Sequence, residues 1–164
     1  MKKTVYLSLG SNLGDREANL QAAMERVGDW GNISARSSIY ETEPVDFEQQ
    51  PWFLNSVISL ETDLMPKQLL DKILAAEQQM GRRRLQSKGP RVIDIDILFF
   101  GRSIVDTGRL VIPHPSLHER RFVLEPLCEI APDLRHPGLK RTIRELLDAL
   151  PPGRGQVRKW KRSS

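Results

Sequence analysis

The chain has 164 residues, of which 39% are hydrophobic and 28% charged, which excludes a wholly disordered protein and suits one domain with its own core. No apolar run approaches the ~20 residues of a membrane span, and a single cysteine, Cys128, excludes a disulfide framework and a thiolate metal cluster. The net charge of +4 sits in residues 151–164, where Arg154, Arg158, Lys159, Lys161 and Arg162 meet no acid, so residues 1–150 hold 20 basic against 21 acidic groups.

In chain order, "TVYLSLG" reads as a first strand, its apolar run too short for a secretory segment. "GDREANLQAAMERVGDW" reads as a helix with Asp15 as N-cap and Leu20, Met24 and Val27 at helical spacing. "ISARSSIYET" alternates like a strand, and "FLNSVISLET" is a second one after the loop "EPVDFEQQPW". "MPKQLLDKILAAEQQMG" is the clearest helix, with Pro66 in its first turn, an apolar stripe from Leu69 to Met80 and Gly81 as its stop. The basic loop "RRRLQSK" leads to the strand "RVIDIDILFFG", with "SIVDTGRLVIP" as its hairpin partner. "HPSLHERRFVLEPL" is a short helix or loop and "TIRELLDAL" a last helix. The order β-α-β-β-α-β predicts an α+β, ferredoxin-like fold: an antiparallel sheet with flanking helices and extra C-terminal strands and helices. Residues 1–150 are expected to form the single domain and 151–164 a flexible basic tail.

Two aspartates interrupt the apolar run from Val92 to Phe100. In a strand Asp94 and Asp96 share one face, about 7 Å apart, while Ile93, Ile95, Ile97 and Phe99 share the other. Two ionised carboxylates that close repel, and burial would make them costly. Either this is a solvent-facing edge strand, or Arg91 or a divalent cation offsets the charge. Both are hard oxygen donors of the kind Mg²⁺ takes, and such a pair suits two-metal phosphoryl transfer. Arg82, Arg83, Arg84, Arg91, Arg109, Arg120 and Arg121 surround this strand in sequence, and arginine binds phosphate oxygens in a planar fork.

Other residues leave alternatives open. Glu77 lies on the apolar stripe of its helix and is either a rim residue reaching water or a ligand contact. His114, between prolines, is on a turn and suits phosphate better than zinc, because only His118 is near it. His136 reads as a surface turn residue and Cys128 as a core thiol. Phe53, Asn55 and Phe122 could clasp a flat heterocycle, although from spacing alone core packing is the better reading of both rings. "GSNLGD" lacks the spacing of a phosphate loop, so any ATP is held by other means.

Together, "SLGSNLGD", "FLNSVISLET", "GPRVIDIDILFFG" and "IPHPSLHERRFVLEPLCEIAP", in this order and spacing, resemble the hydroxymethyl-dihydropterin pyrophosphokinases of folate biosynthesis, over roughly residues 4–150. The resemblance implies transfer of pyrophosphate from ATP to the hydroxymethyl group of a reduced pterin, with Asp94 and Asp96 binding two Mg²⁺ ions. It implies that Arg82, Arg84, Arg91, His114 and Arg120 contact phosphates or support transfer. Glu77, Ile97, Arg109, Leu110 and Val111 would line the nucleotide pocket. Phe53, Asn55 and Phe122 would hold the pterin, with backbone help from Thr42, Pro44 and Val45, and the loops around 43–51 and 82–90 would close over the substrates. Glu43, Leu74, Lys88 and Pro115 depart from the residues usual at those places.

The expected partners are therefore ATP and the pterin, with no nucleic acid and no membrane, in a monomeric cytoplasmic enzyme. Two other readings are a different Mg²⁺-dependent phosphoryl or nucleotidyl transferase and an RNA-binding ferredoxin-like module. The acids in the strongest strand argue against RNA, since they repel phosphates unless a cation intervenes.

Overall fold

A computed structural model describes residues 2–44, 49–82, 90–152 and 156–160. The elements are β1 (Lys3–Ser11), α1 (Arg16–Val27), β2 (Asn32–Arg36), β3 (Tyr40–Thr42), β4 (Phe53–Thr62), α2 (Pro66–Gln79), β5 (Asp94–Phe100), β6 (Val105–Asp106) and β7 (Val111–Ile112). After a 3₁₀ turn (Leu117–Glu119) come α3 (Arg121–Ile130), α4 (Ile143–Asp148) and β8 (Val157–Lys159).

Asp15 caps α1 by accepting from the Ala18 N–H at 3.1 Å, and Pro66 opens α2, where its missing N–H costs nothing. Gly81 follows α2 with a φ of +96°, which a glycine adopts without strain. Thr142 and Glu145 form a reciprocal capping box on α4.

The main sheet runs β5-β1-β4-β3-β8, and its pairings are all antiparallel. This is the ferredoxin-like arrangement. The expected second strand is two strands, β2 and β3, which lie end to end along β4. They part at Ser37, whose hydroxyl takes the Val57 N–H at 2.9 Å and so replaces a ladder bond with a side-chain one. β6 and β7 pair with each other as a separate ribbon, so the predicted hairpin partner of β5 folds on itself and leaves β5 at the sheet edge.

Each face of the sheet carries its own core. On one side Leu20, Ala23, Met24 and Val27 of α1 and Leu69 and Ile73 of α2 pack on Val5, Leu7, Leu9, Ile58, Ile95 and Ile97. On the other, Val123, Leu124 and Leu127 of α3 and Ile143 and Leu146 of α4 pack on Val57, Leu98 and Phe99. Each fully buried Leu or Ile contributes about 1.5–3 kcal/mol. A bulge places Leu98 as an extra residue opposite β1, where Leu7 pairs with Ile97 and Tyr6 with Phe99. The bulge reverses the alternation, so Phe99 joins the α3 side and packs edge-on against Tyr6 and His136, rather than facing the isoleucines. His136 is thereby buried, not a surface residue, and its Nδ1 accepts from the Gly138 and Leu139 N–H groups at 3.0 and 2.9 Å. Cys128 is a buried core thiol, and burial pushes its pKa up.

Part of the expected tail is a strand. Val157–Lys159 pairs with Tyr40–Thr42 at the sheet edge, so residues 156–160 are anchored by main-chain hydrogen bonds that charge counting could not reveal. Among the described residues no helix is long and apolar enough to cross a membrane.

Candidate active site

The cavity forms at the end of β1 and the starts of β4 and β5, beside the start of α3. Asp94 stands opposite Gly10 and Asp96 opposite Ser8 on β1, while Gly10 also faces Asn55 on β4. Thr42 pairs with Phe53 on the same face. These residues line a cavity of about 330 Å³, with Glu43, Pro44, Gln50, Arg82, Arg91, His114, Arg120 and Phe122 completing its wall. A cavity of that volume is in the small-molecule range.

The ring end of the cavity is built by close approach. A Cβ at Gly10 would lie 2.6 Å from Asn55 Oδ1, so only glycine lets the Asn55 amide lean over β1. Asn55 Nδ2 donates to Thr42 Oγ1, which fixes the orientation of the amide. Phe53 and Phe122 are half-buried and line the cavity, and Phe122 also packs against the core on the α3 side. Arg120 lies over the Phe122 ring at 5.5 Å from its centroid.

The charged end is built around the two aspartates. Asp94 accepts from Arg82 at 2.8 Å and from Arg91 at 3.0 Å. Arg82 also donates to Glu77 at 2.7 Å. Glu77 is buried rather than on a rim, and its other role is to accept the Ile95 N–H at 2.8 Å, which ties α2 to β5. Burial alone would pull the Arg82 guanidinium down, but the carboxylates of Asp94 and Glu77 outweigh it and raise its pKa.

Asp96 differs from Asp94. It accepts no hydrogen bond among the described residues, and burial, then the charges of Asp94 and Glu77, push its pKa up to about 7. A cation beside it would relieve both causes. Two carboxylates on one strand face, one of them short of partners, are a donor set that fits a hard divalent cation. Burial, then the Arg120 charge, lowers the His114 pKa. Its Nδ1 accepts from the Ser116 N–H at 3.2 Å, so the neutral ring carries its proton on Nε2, free to donate.

A second cavity, of about 260 Å³, opens on the other side of the aspartates. It is lined by Leu70, Ile73, Leu74, Glu77, Ile95 and Arg109, and shares Arg82, Asp94 and Asp96 with the first. Two cavities that meet at two carboxylates and an arginine can hold two molecules with their reactive ends together. Of the residues expected to hold a nucleotide, Glu77 and Arg109 line this cavity. Ile97 is in the core, Leu110 packs against that core and Val111 is exposed on β7. None of these three lines either cavity. Val45 and Arg84 lie outside the described residues, as do Arg83 and Lys88.

Sequence reasoning missed Asn12. It is buried, its Nδ2 donates to Gln50 Oε1 at 2.7 Å and the Pro51 carbonyl at 3.0 Å, and its Oδ1 accepts from the Arg91 N–H at 2.7 Å. One side chain thus links the segment before β4 to the segment before β5. The only signal was an asparagine directly after a strand in "LGSNLG".

The model of the family described as 7,8-dihydro-6-hydroxymethylpterin-pyrophosphokinase matches residues 6–132. A 2-amino-4-hydroxy-6-hydroxymethyldihydropteridine pyrophosphokinase of Methylorubrum extorquens is 46% identical over 149 residues, covering 90% of this chain and 93% of its own. The folic acid synthesis protein of Pneumocystis carinii is 45% identical over 136 residues, 82% of this chain but 18% of its own length. The chain therefore spans about a fifth of the fungal relatives it matches. Among solved structures, a Plasmodium falciparum HPPK-DHPS triple mutant with pteroate superposes with a TM-score of 0.74 at 20% identity, over 90% of this chain and 43% of that one. That likeness carries the fold alone.

Proposed function

Because the chain belongs to the 7,8-dihydro-6-hydroxymethylpterin-pyrophosphokinase family, we propose that it transfers pyrophosphate, as one unit, from ATP to the hydroxymethyl group of a reduced pterin in folate biosynthesis. The products are AMP and the pterin pyrophosphate. The observation that carries this reading is the pair of cavities that share Arg82, Asp94 and Asp96.

The larger cavity takes the pterin, with Phe53 and Phe122 against the ring faces and Asn55 reading its edge of donors and acceptors. Thr42 holds that amide in place, and Pro44 borders the ring. The smaller cavity takes the nucleotide beside Glu77 and Arg109. Asp94 and Asp96 would hold two Mg²⁺ ions, which when bound offset phosphate charge and acidify the pterin hydroxyl. Arg82 and Arg91 hold Asp94 now and would turn toward phosphate when cations take their place. Arg84, Arg120 and the Nε2–H of His114 add donors for phosphate oxygens. Alignment of the two reactants, rather than covalent chemistry by a side chain, supplies the rate.

The test is to incubate the protein with Mg-ATP and hydroxymethyl-dihydropterin and resolve the nucleotide products. AMP formed only with pterin is expected, with kcat reduced about 100-fold or more in Asp94→Ala and Asp96→Ala. ADP as the product would mean attack at the γ-phosphate and would sink the proposal.

A further inference from the structure

We infer that β8 is a positioning element for the pterin side of the larger cavity, acting through Arg158 and Glu41 from behind the cavity wall.

Strand alternation puts Thr42 on the cavity face of β3 and Glu41 on the opposite face. Glu41 is buried there between two arginines. Arg158 of β8 donates to Oε1 through Nη2 at 2.6 Å and through Nε at 3.1 Å. Arg16 at the start of α1 donates to Oε2 at 2.9 Å and to the Trp52 carbonyl at 2.9 Å. The Arg158 guanidinium also lies 5.0 Å from the Trp52 ring centroid. Burial alone would raise the Glu41 pKa, but the hydrogen bonds from Arg158 and Arg16 outweigh it and hold the group charged.

This cluster grips both strands of the cavity wall one residue away from their cavity-facing side chains. Glu41 precedes Thr42, which orients Asn55, and Trp52 precedes Phe53. The backbone completes the grip, since the Glu43 N–H donates to the Gln156 carbonyl at 3.0 Å just ahead of Pro44. On the far side, Trp160 of the same segment donates from Nε1 to Glu17 at 3.2 Å, and Arg16 lies 5.1 Å from its ring centroid. The segment therefore ties α1, β3 and the start of β4 into one unit. None of these residues lines the smaller cavity.

The Arg158 side chain is 67% exposed, so its removal opens no core void. The inference rests on the pterin reading of the larger cavity, and the experiment separates the two. Affinity for hydroxymethyl-pterin is measured by its fluorescence, and affinity for a non-hydrolysable Mg-ATP analogue by calorimetry, in the full-length chain.

For Arg158→Ala the pterin Kd should rise about three- to five-fold, and for Glu41→Gln, which weakens both arginine contacts, about ten-fold. The nucleotide Kd should change less than about two-fold in either variant. Arg158→Lys should restore part of the loss and Lys159→Ala, exposed on the same strand, should match the parent. Equal rises in both constants, or a lower Tm with an unchanged pterin Kd, would overturn the inference while leaving the reaction intact. A parent chain that neither binds nor turns over the pterin would overturn both.

Discussion

At the scale of single residues, Asp96 carries the clearest cost. The folded protein keeps the Asp96 proton up to about pH 7, whereas the ordinary carboxyl releases it near 3.8. Between those values the folded state binds more protons than the unfolded chain, so this group's contribution to stability falls as pH rises through that window. Asp96→Asn removes the effect. In chelator, its Tm should exceed that of the parent by a margin that grows from pH 5 to pH 8, as followed by circular dichroism. A constant margin would mean that Asp96 ionises normally. Gly10 makes a different point. A Cβ there would meet the Asn55 amide at 2.6 Å, so Gly10→Ala should raise the pterin KM about ten-fold through displacement of that amide. Steady-state kinetics at saturating ATP would read this, and an unchanged KM would show that the amide can retreat.

At the scale of elements, most boundaries follow from local chemistry. Asp15 caps α1 and Pro66 opens α2, both marked in the sequence by residue type and spacing, while the Thr142–Glu145 box on α4 is seen only in the structure. Thr142→Ala removes the side-chain half of the α4 box and should cost about 1 kcal/mol, a Tm drop of roughly 3 °C, with kcat unchanged because α4 is remote from both cavities. Thermal melts and product assays on the same preparation check it. The misread elements are those decided by a partner strand. "ISARSSIYET" reads as one strand, yet the Ser37 hydroxyl breaks it into β2 and β3. The bulge at Leu98 reverses the facing of Phe99 without any glycine to announce it. β8 reads as a charged terminus because a three-residue edge strand has no periodicity to detect.

At the scale of the whole molecule, the proposed reaction depends on two cavities meeting at one place. The sheet edge at β5 separates the Asn55 side from the α2 side, and Arg82 reaches both through Asp94 and Glu77. A residue at the junction should act on the joined state more than on either ligand alone. Arg82→Ala is therefore expected to lower kcat about 100-fold while each KM changes less than about five-fold. A large rise in one KM with kcat preserved would assign Arg82 to that substrate instead.

The sequence by itself determined which residues could carry the chemistry and most of the helix ends, because residue types, caps and strand alternation are local properties. Asp94, Asp96, Arg82, Phe53 and Asn55 were legible on those grounds and on the motifs that hold them. Only the tertiary structure decided that Phe53 and Phe122 border a cavity, and that Glu77 is buried under Arg82. It also decided that Asn12 ties two distant segments together and that residues 156–160 complete the sheet. The contacts Asn12–Gln50 and Glu41–Arg158 join residues 38 and 117 positions apart in the chain. A local pattern carries no record of such a contact, because its energy appears only after the sheet has closed.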